Sequence, residues 1–121
     1  MNALVVDDYM IIRRLITEIL KKHKNIDKIF IAENGEDAIK ILKEEEIHIM
    51  LLDLLMPKVN GMEVLDFMND NGYNDIPIIV FSTDEEKKHE AFDKGAHEFL
   101  QKPVSEQKLV YTIEKYIKLD N

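Results

Sequence analysis

Five short apolar runs, each four or five residues long, alternate along the chain with stretches whose apolar residues recur at helical spacing. Such alternation leaves few folds open. Parallel strands need crossover connections, and helices supplied as crossovers cover both faces of one parallel sheet. The runs are Ala3–Val6, Lys28–Ala32, Ile49–Leu52, Pro77–Phe81 and Glu98–Gln101. Between them, Ile12, Leu15, Ile16, Ile19 and Leu20 make one helical face, with Arg13, Arg14, Glu18 and Lys21 expected to face water. Ala38, Ile39 and Leu42 form a second stripe after the break at Asn34-Gly35, and it dissolves into the solvated run Glu44-Glu45-Glu46. Val64, Leu65 and Met68 suit a third helix after Gly61, and Asn69 to Asp75 reads as turn throughout.

The fourth helix should start at Asp84-Glu85-Glu86, with acids on the positive end of the helix dipole, and stop at Gly95. Ser105 can cap a last helix, with Leu109, Ile113 and Ile117 inward and an end close to Asn121. The expectation is a doubly wound α/β domain of five strands and five helices, occupying residues 1–121 with no output domain. Gly35, Gly61 and Gly95 read as turn residues.

Composition narrows the function classes. A formal charge of -8 argues against a nucleic-acid-binding surface. The short basic run Lys21-Lys22-His23-Lys24 reads as a charged helix end. The absence of cysteine removes disulfides and thiolate metal sites. Neither a signal peptide nor an apolar stretch of about 20 residues is present, so a cytoplasmic protein without a membrane span is expected. His23, His48, His89 and His97 lack ligand spacing and read as surface or turn residues. Without a GxxxxGK loop, nucleotide hydrolysis is not expected.

What remains is where the strands stop. The first ends in Asp7-Asp8, the third in Asp53, the fourth in Ser82-Thr83 and the fifth in Lys102-Pro103. In an open α/β sheet, ligands bind at the carboxyl ends of the strands, so these residues should meet there. Two carboxylates about 5 Å apart repel by roughly 3 kcal/mol at an effective dielectric of 20. Lys102 offsets part of this, and a divalent cation would offset the rest. An all-oxygen donor set favours Mg²⁺, with Mn²⁺ possible, over zinc. A carboxylate beside such an ion, a lysine and a hydroxyl can form an aspartyl phosphate. Taken singly, each has a plainer role: Asp7-Asp8 as helix cap, Ser82 as turn former, Lys102 as surface lysine.

Asp7-Asp8, Asp53 with Met56-Pro57 and Gly61, Ser82, and Lys102-Pro103 resemble the receiver domain of two-component response regulators. The resemblance covers the whole chain. It runs closest to the stand-alone chemotaxis (CheY-like) type, down to Asp-Asp-aromatic followed by Arg13-Arg14. It implies the flavodoxin-like strand order 2-1-3-4-5. It also implies Asp53 as phosphoacceptor, and Mg²⁺ on Asp8, Asp53 and the Leu55 carbonyl with Asp7 acting through water. Ser82 and Lys102 would contact the phosphoryl group, and Lys102-Pro103 would be a cis peptide. Ser82 and Phe99 would form the switch, while Leu55, Thr83 and Asp84 would tune phosphoryl lifetime.

The implied partners are a sensor histidine kinase and either a downstream protein target or a histidine phosphotransfer protein. The surface of the fourth helix, fifth strand and last helix would change on phosphorylation, in a monomer or weak dimer. Chemotaxis-like signalling and a phosphorelay intermediate both stand. A haloacid-dehalogenase-type phosphatase would need an aspartate two residues after its nucleophile, where this chain has Leu55 after Asp53 and Tyr9 after Asp7. The chain is therefore expected not to be an enzyme beyond its own phosphorylation and dephosphorylation. A receiver-like module that no longer takes phosphate is the third reading, against which the intact acceptor set argues.

Overall fold

A computed structural model describes residues 1–117. Its elements run β1 (Asn2–Val6), α1 (Met10–Lys21), β2 (Lys28–Ala32), α2 (Gly35–Glu44), β3 (Ile49–Asp53), α3 (Gly61–Asp70), β4 (Ile78–Ser82), α4 (Lys88–Asp93), β5 (Glu98–Gln101) and α5 (Glu106–Glu114). All five strands are parallel in the order β2-β1-β3-β4-β5. This is the expected flavodoxin-like fold.

Side chains alternate across a strand, so each strand feeds two cores. Leu4, Val6, Met50, Leu52, Ile78 and Val80 bury on one face against Ala38, Leu42, Val64, Leu65, Met68 and Ala91 of α2, α3 and α4. Ala3, Val5, Ile49, Leu51, Ile79 and Phe81 bury on the other against Ile16, Ile19 and Leu20 of α1 and Leu109 and Ile113 of α5. β3 and β4 are buried at every position, as central strands covered on both sides must be.

Several local expectations need correction. Asn69 and Asp70 are helical, and the turn starts at Asn71, whose N–H is capped by Phe67 O. The fourth helix opens with a 3₁₀ turn over Glu85–Lys87, capped by Asp84, before the short α4. α5 stops at Glu114, and any continuation toward Asn121 lies outside the described residues. Lys22 to Lys24 lie beyond the end of α1.

Two glycines sit in contacts, not turns. Gly35 and Gly61 are the first residues of α2 and α3, and a Cβ on either would fall 2.0 Å from Val59 O or 2.6 Å from Asp53 O. Gly95 does hold the left-handed position after α4, with φ +105°. His48 and His97 have a role that spacing does not reveal. Each precedes a strand and accepts on Nδ1 a backbone N–H of the neighbouring strand, from Asn2 at 2.8 Å and Ile78 at 3.1 Å.

Candidate phosphoacceptor site

Backbone ladders carry the four strand ends to one level. Asp7 N–H donates to Ala32 O, Leu54 N–H to Phe81 O, and Lys102 N–H to Ser82 O. The loop after Asp53 is pinned by Gly35 N–H to Val59 O and by Gly61 N–H to Leu54 O, at 2.9 and 3.0 Å. Asn60 closes a capping box with Glu63 at the start of α3. Asp7, Asp8 and Asp53 consequently place carboxylate oxygens within 4.8 Å of one another. Asp7 and Asp53 are 1% and 3% exposed, whereas Asp8 is open to solvent.

Lys102 Nζ stands 3.1 Å from Asp53 Oδ1 and 3.6 Å from Asp7 Oδ2. Asp53 Oδ1 also accepts from Leu55 N–H at 3.4 Å. Asp7 Oδ1 accepts from Tyr9 N–H at 2.8 Å, which leaves the buried Oδ2 of Asp7 without a hydrogen bond. Burial, and then the charge of Asp7, push the Asp53 carboxyl up to about 6, with Lys102 and the Leu55 N–H pulling the other way. Burial likewise raises Asp7.

The three aspartates and Lys102 line an open cavity of about 490 Å³ with Tyr9, Leu55, Met56, Pro57 and Thr83. Thr83 reaches this cavity; Ser82 does not line it. Ser82 Oγ accepts from Asp84 N–H at 3.0 Å and borders the adjoining cleft with Asp84, Asn60 and Met62. The turn-forming role of Ser82 is therefore occupied in this state. Phe99 is half-buried in β5, beside Val80 in register and against the α2–α4 core. Leu55 is 76% exposed at the cavity mouth. The Lys102–Pro103 peptide is cis.

Residues 3–114 match the response regulator receiver domain family. The chain belongs to that family. Protein PilH of Pseudomonas aeruginosa is 32% identical over 93% of this chain and 93% of its own length. A protein-glutamate methylesterase/protein-glutamine glutaminase of Clostridium acetobutylicum is 39% identical over 84% of this chain, which spans only 30% of that relative. Among solved structures, chemotaxis response regulator CheY4 of Vibrio cholerae superposes with a TM-score of 0.83 at 25% identity, covering 95% of this chain and 97% of its own. Among the described residues, no helix is long and apolar enough to cross a membrane.

The receiver family generally binds Mg²⁺, and the residues present fit that ion. The donors are all oxygen, they converge within 4.8 Å, and Asp7 Oδ2 is a buried acceptor that makes no hydrogen bond, with the Lys102 ammonium 3.6 Å away. One site residue was missed by helical periodicity. Arg13, expected in solvent, is 11% exposed at its side chain and donates from Nη1 to Asp7 O at 2.8 Å.

Proposed function

We propose that this receiver domain accepts a phosphoryl group on Asp53 from a phosphohistidine of a sensor kinase, and that the new charge alters its surface for a protein partner. The observation that carries this reading is the pairing at Asp53. Oδ1 is held by Lys102 and the Leu55 N–H, and among the described residues no hydrogen bond is made to Oδ2, which leaves that atom to attack phosphorus.

In the transfer, a bond forms between Asp53 Oδ2 and phosphorus as the bond from phosphorus to the donor imidazole nitrogen breaks. The electron pair leaves on that nitrogen. Asp8, Asp53 and the Leu55 carbonyl would hold Mg²⁺, with Asp7 acting through water. When bound, the ion neutralises charge on the phosphoryl oxygens. Lys102 supplies a second cation at the same oxygens. Ser82 would leave the Asp84 N–H it now accepts and donate its own O–H to a phosphoryl oxygen, and Phe99 would turn inward to follow it. Leu55, Thr83 and Asp84 surround the approach of water and set how long the phosphate survives.

A protein donor suits the surroundings. Tyr9 and Leu55 are exposed apolar side chains at the mouth, and Met10 and Ile11, next in sequence to Tyr9, are exposed as well, of the kind a partner surface covers. The similarity to PilH, matched over nearly its full length, supports a free-standing regulator that signals through protein contacts. Chemotaxis-like signalling is the favoured pathway, on the resemblance to CheY4.

The test is incubation with Mg²⁺ and acetyl phosphate, followed by intact mass and by ¹⁵N spectra with beryllofluoride. One phosphoryl adduct that Asp53→Asn abolishes is expected, with amide shifts at Phe99 and through α4. An unmodified protein, or an adduct that persists in Asp53→Asn, would overturn the proposal.

A further inference from the structure

Arg13 belongs to a helix whose neighbouring positions are open. Met10 and Ile11 are 53% and 66% exposed, and Arg14 is exposed as well. The Arg13 side chain instead folds back over the first turn of α1 and is largely buried. Its Nη1 donates to the backbone carbonyl of Asp7 at 2.8 Å, and its Nη2 lies 3.4 Å from Oε1 of Glu33, just past the end of β2.

That carbonyl completes a set of restraints on a single residue. The Asp7 N–H donates to Ala32 O at 3.1 Å, the side-chain Oδ1 accepts from Tyr9 N–H, and Arg13 takes the carbonyl. Both peptide groups and one carboxylate oxygen of Asp7 are thereby fixed. The remaining oxygen, Oδ2, is directed at Lys102 and stands among the carboxylates of the cavity. The same carbonyl belongs to the peptide that links Asp7 to Asp8, so the guanidinium also sets the direction in which Asp8 leaves the strand. A single N–H of the planar guanidinium makes this bond, and its charge strengthens it relative to a neutral donor.

We infer that Arg13 is a positioning residue for the cation site: it holds the Asp7–Asp8 peptide so that both carboxylates face the cavity. Its effect runs through the hydrogen bond to Asp7 O and not through its charge. Glu33 is 70% exposed, so its pairing with Arg13 is too solvated to contribute much. The inference rests on the reading of Asp53 as a Mg²⁺-assisted phosphoacceptor.

The experiment is a Mg²⁺ titration of the full chain, followed by ¹⁵N amide shifts, for the native protein, Arg13→Ala, Arg13→Lys and Glu33→Gln. Urea unfolding of each variant runs in parallel. Loss of a charged hydrogen bond that orients two ligands should weaken Mg²⁺ binding in Arg13→Ala by about fivefold. Arg13→Lys should recover to within about twofold, since its ammonium can still donate to one carbonyl. Glu33→Gln should bind like the native chain. Before any Mg²⁺ is added, the Asp8 and Tyr9 amides should already be displaced in Arg13→Ala.

The fivefold difference should persist at about 0.5 M salt, where the Debye length is only ~4 Å and long-range attraction is screened. An unchanged Mg²⁺ affinity in a folded but less stable Arg13→Ala would reduce Arg13 to a purely structural role and overturn the inference. A difference that vanishes in salt would overturn it too, in favour of a charge effect. Failure of the native chain to bind Mg²⁺ would instead sink the phosphoacceptor reading on which it rests.

Discussion

Lys102 Nζ lies 3.1 Å from Asp53 Oδ1, and the same ammonium is 3.6 Å from Asp7 Oδ2. One cation thus faces two buried carboxylates, with Asp8 as a third within 4.8 Å. With all three aspartates ionised, the cluster is left with an excess of negative charge that Lys102 cannot cancel. Burial sharpens the problem, because water cannot solvate Asp53 or Asp7 freely. Burial first, and then the charge of Asp7, account for the raised position of the Asp53 carboxyl, about 6.

Replacing Asp53 by Asn should stabilise the protein without divalent ions at pH 7 and do little at pH 4. In the unfolded chain this carboxyl titrates near 3.8, and in the folded one at about 6. Between those values the folded state keeps a proton that the unfolded state has lost, so stability falls as pH rises through the window. Below it both states are protonated and the difference disappears. A separation of roughly two pH units corresponds to about 3 kcal/mol, so the variant should gain up to that amount above pH 6. Urea unfolding of both proteins at pH 4, 5.5 and 7 checks this. A gain that is the same at all three values would contradict the electrostatic account.

Divalent-cation binding should carry the same signature in reverse. A cation needs the carboxylates ionised, so below about pH 6 it must displace a proton from Asp53. The apparent affinity for Mg²⁺ should then fall roughly tenfold for each unit of pH between 5.5 and 4.5. Titration calorimetry in two buffers of different ionisation enthalpy should detect proton release at pH 5.5 and almost none at pH 8. Equal affinities at pH 5 and pH 8 would mean that Asp53 is not among the ligands.

Much of this site can be read from residue order, because strand ends in a parallel sheet project to one edge whatever the loops do. Asp7, Asp53 and Lys102 are legible for that reason. Arg13 is not: helical periodicity places its Cα on the outer face, and only the fold-back of a long side chain onto the Asp7 carbonyl brings it inward. Gly35 resembles an ordinary break because its need for close approach is set by Val59, a residue from another loop. The end of α3 escapes composition because capping geometry decides it. Asn69 and Asp70 have turn composition yet remain helical until Asn71 supplies the cap. That Thr83, not Ser82, lines the acidic cavity depends on the hydroxyl of Ser82 being taken by the Asp84 N–H.

Lys102→Met should raise the Asp53 titration above 6 and destabilise the cation-free protein at pH 7. The substitution keeps most of the side-chain volume but removes an ammonium within reach of both buried carboxylates. Lys102 is 24% exposed, so solvent softens the loss; about 1–3 kcal/mol is expected, below the cost of breaking a fully buried pair. Carboxyl-carbon chemical shifts followed against pH would report the Asp53 midpoint directly. A midpoint at or below 6 would show that Lys102 contributes no net stabilisation to the ionised form.

Gly35→Ala should disturb the phosphoacceptor loop from a distance, and Gly72→Ala supplies the contrast. A Cβ at position 35 would fall 2.0 Å from Val59 O and 2.7 Å from its carbonyl carbon, so backbone has to move, not a flexible side-chain end. The Gly35 N–H to Val59 O bond would be strained by the same shift, and Val59 lies in the loop that begins at Leu54. Overpacking of this kind costs about 1–3 kcal/mol. Gly72 has open space around it but a left-handed φ of +78°, so alanine there costs about 1–2 kcal/mol by backbone strain alone. The two variants should therefore unfold at similarly reduced urea concentrations. Only Gly35→Ala should also shift the Leu54 and Leu55 amides and weaken Mg²⁺ binding, because only its clash is transmitted along the loop to Asp53. Native Mg²⁺ affinity in Gly35→Ala would show that the loop absorbs the displacement before it reaches the carboxylate.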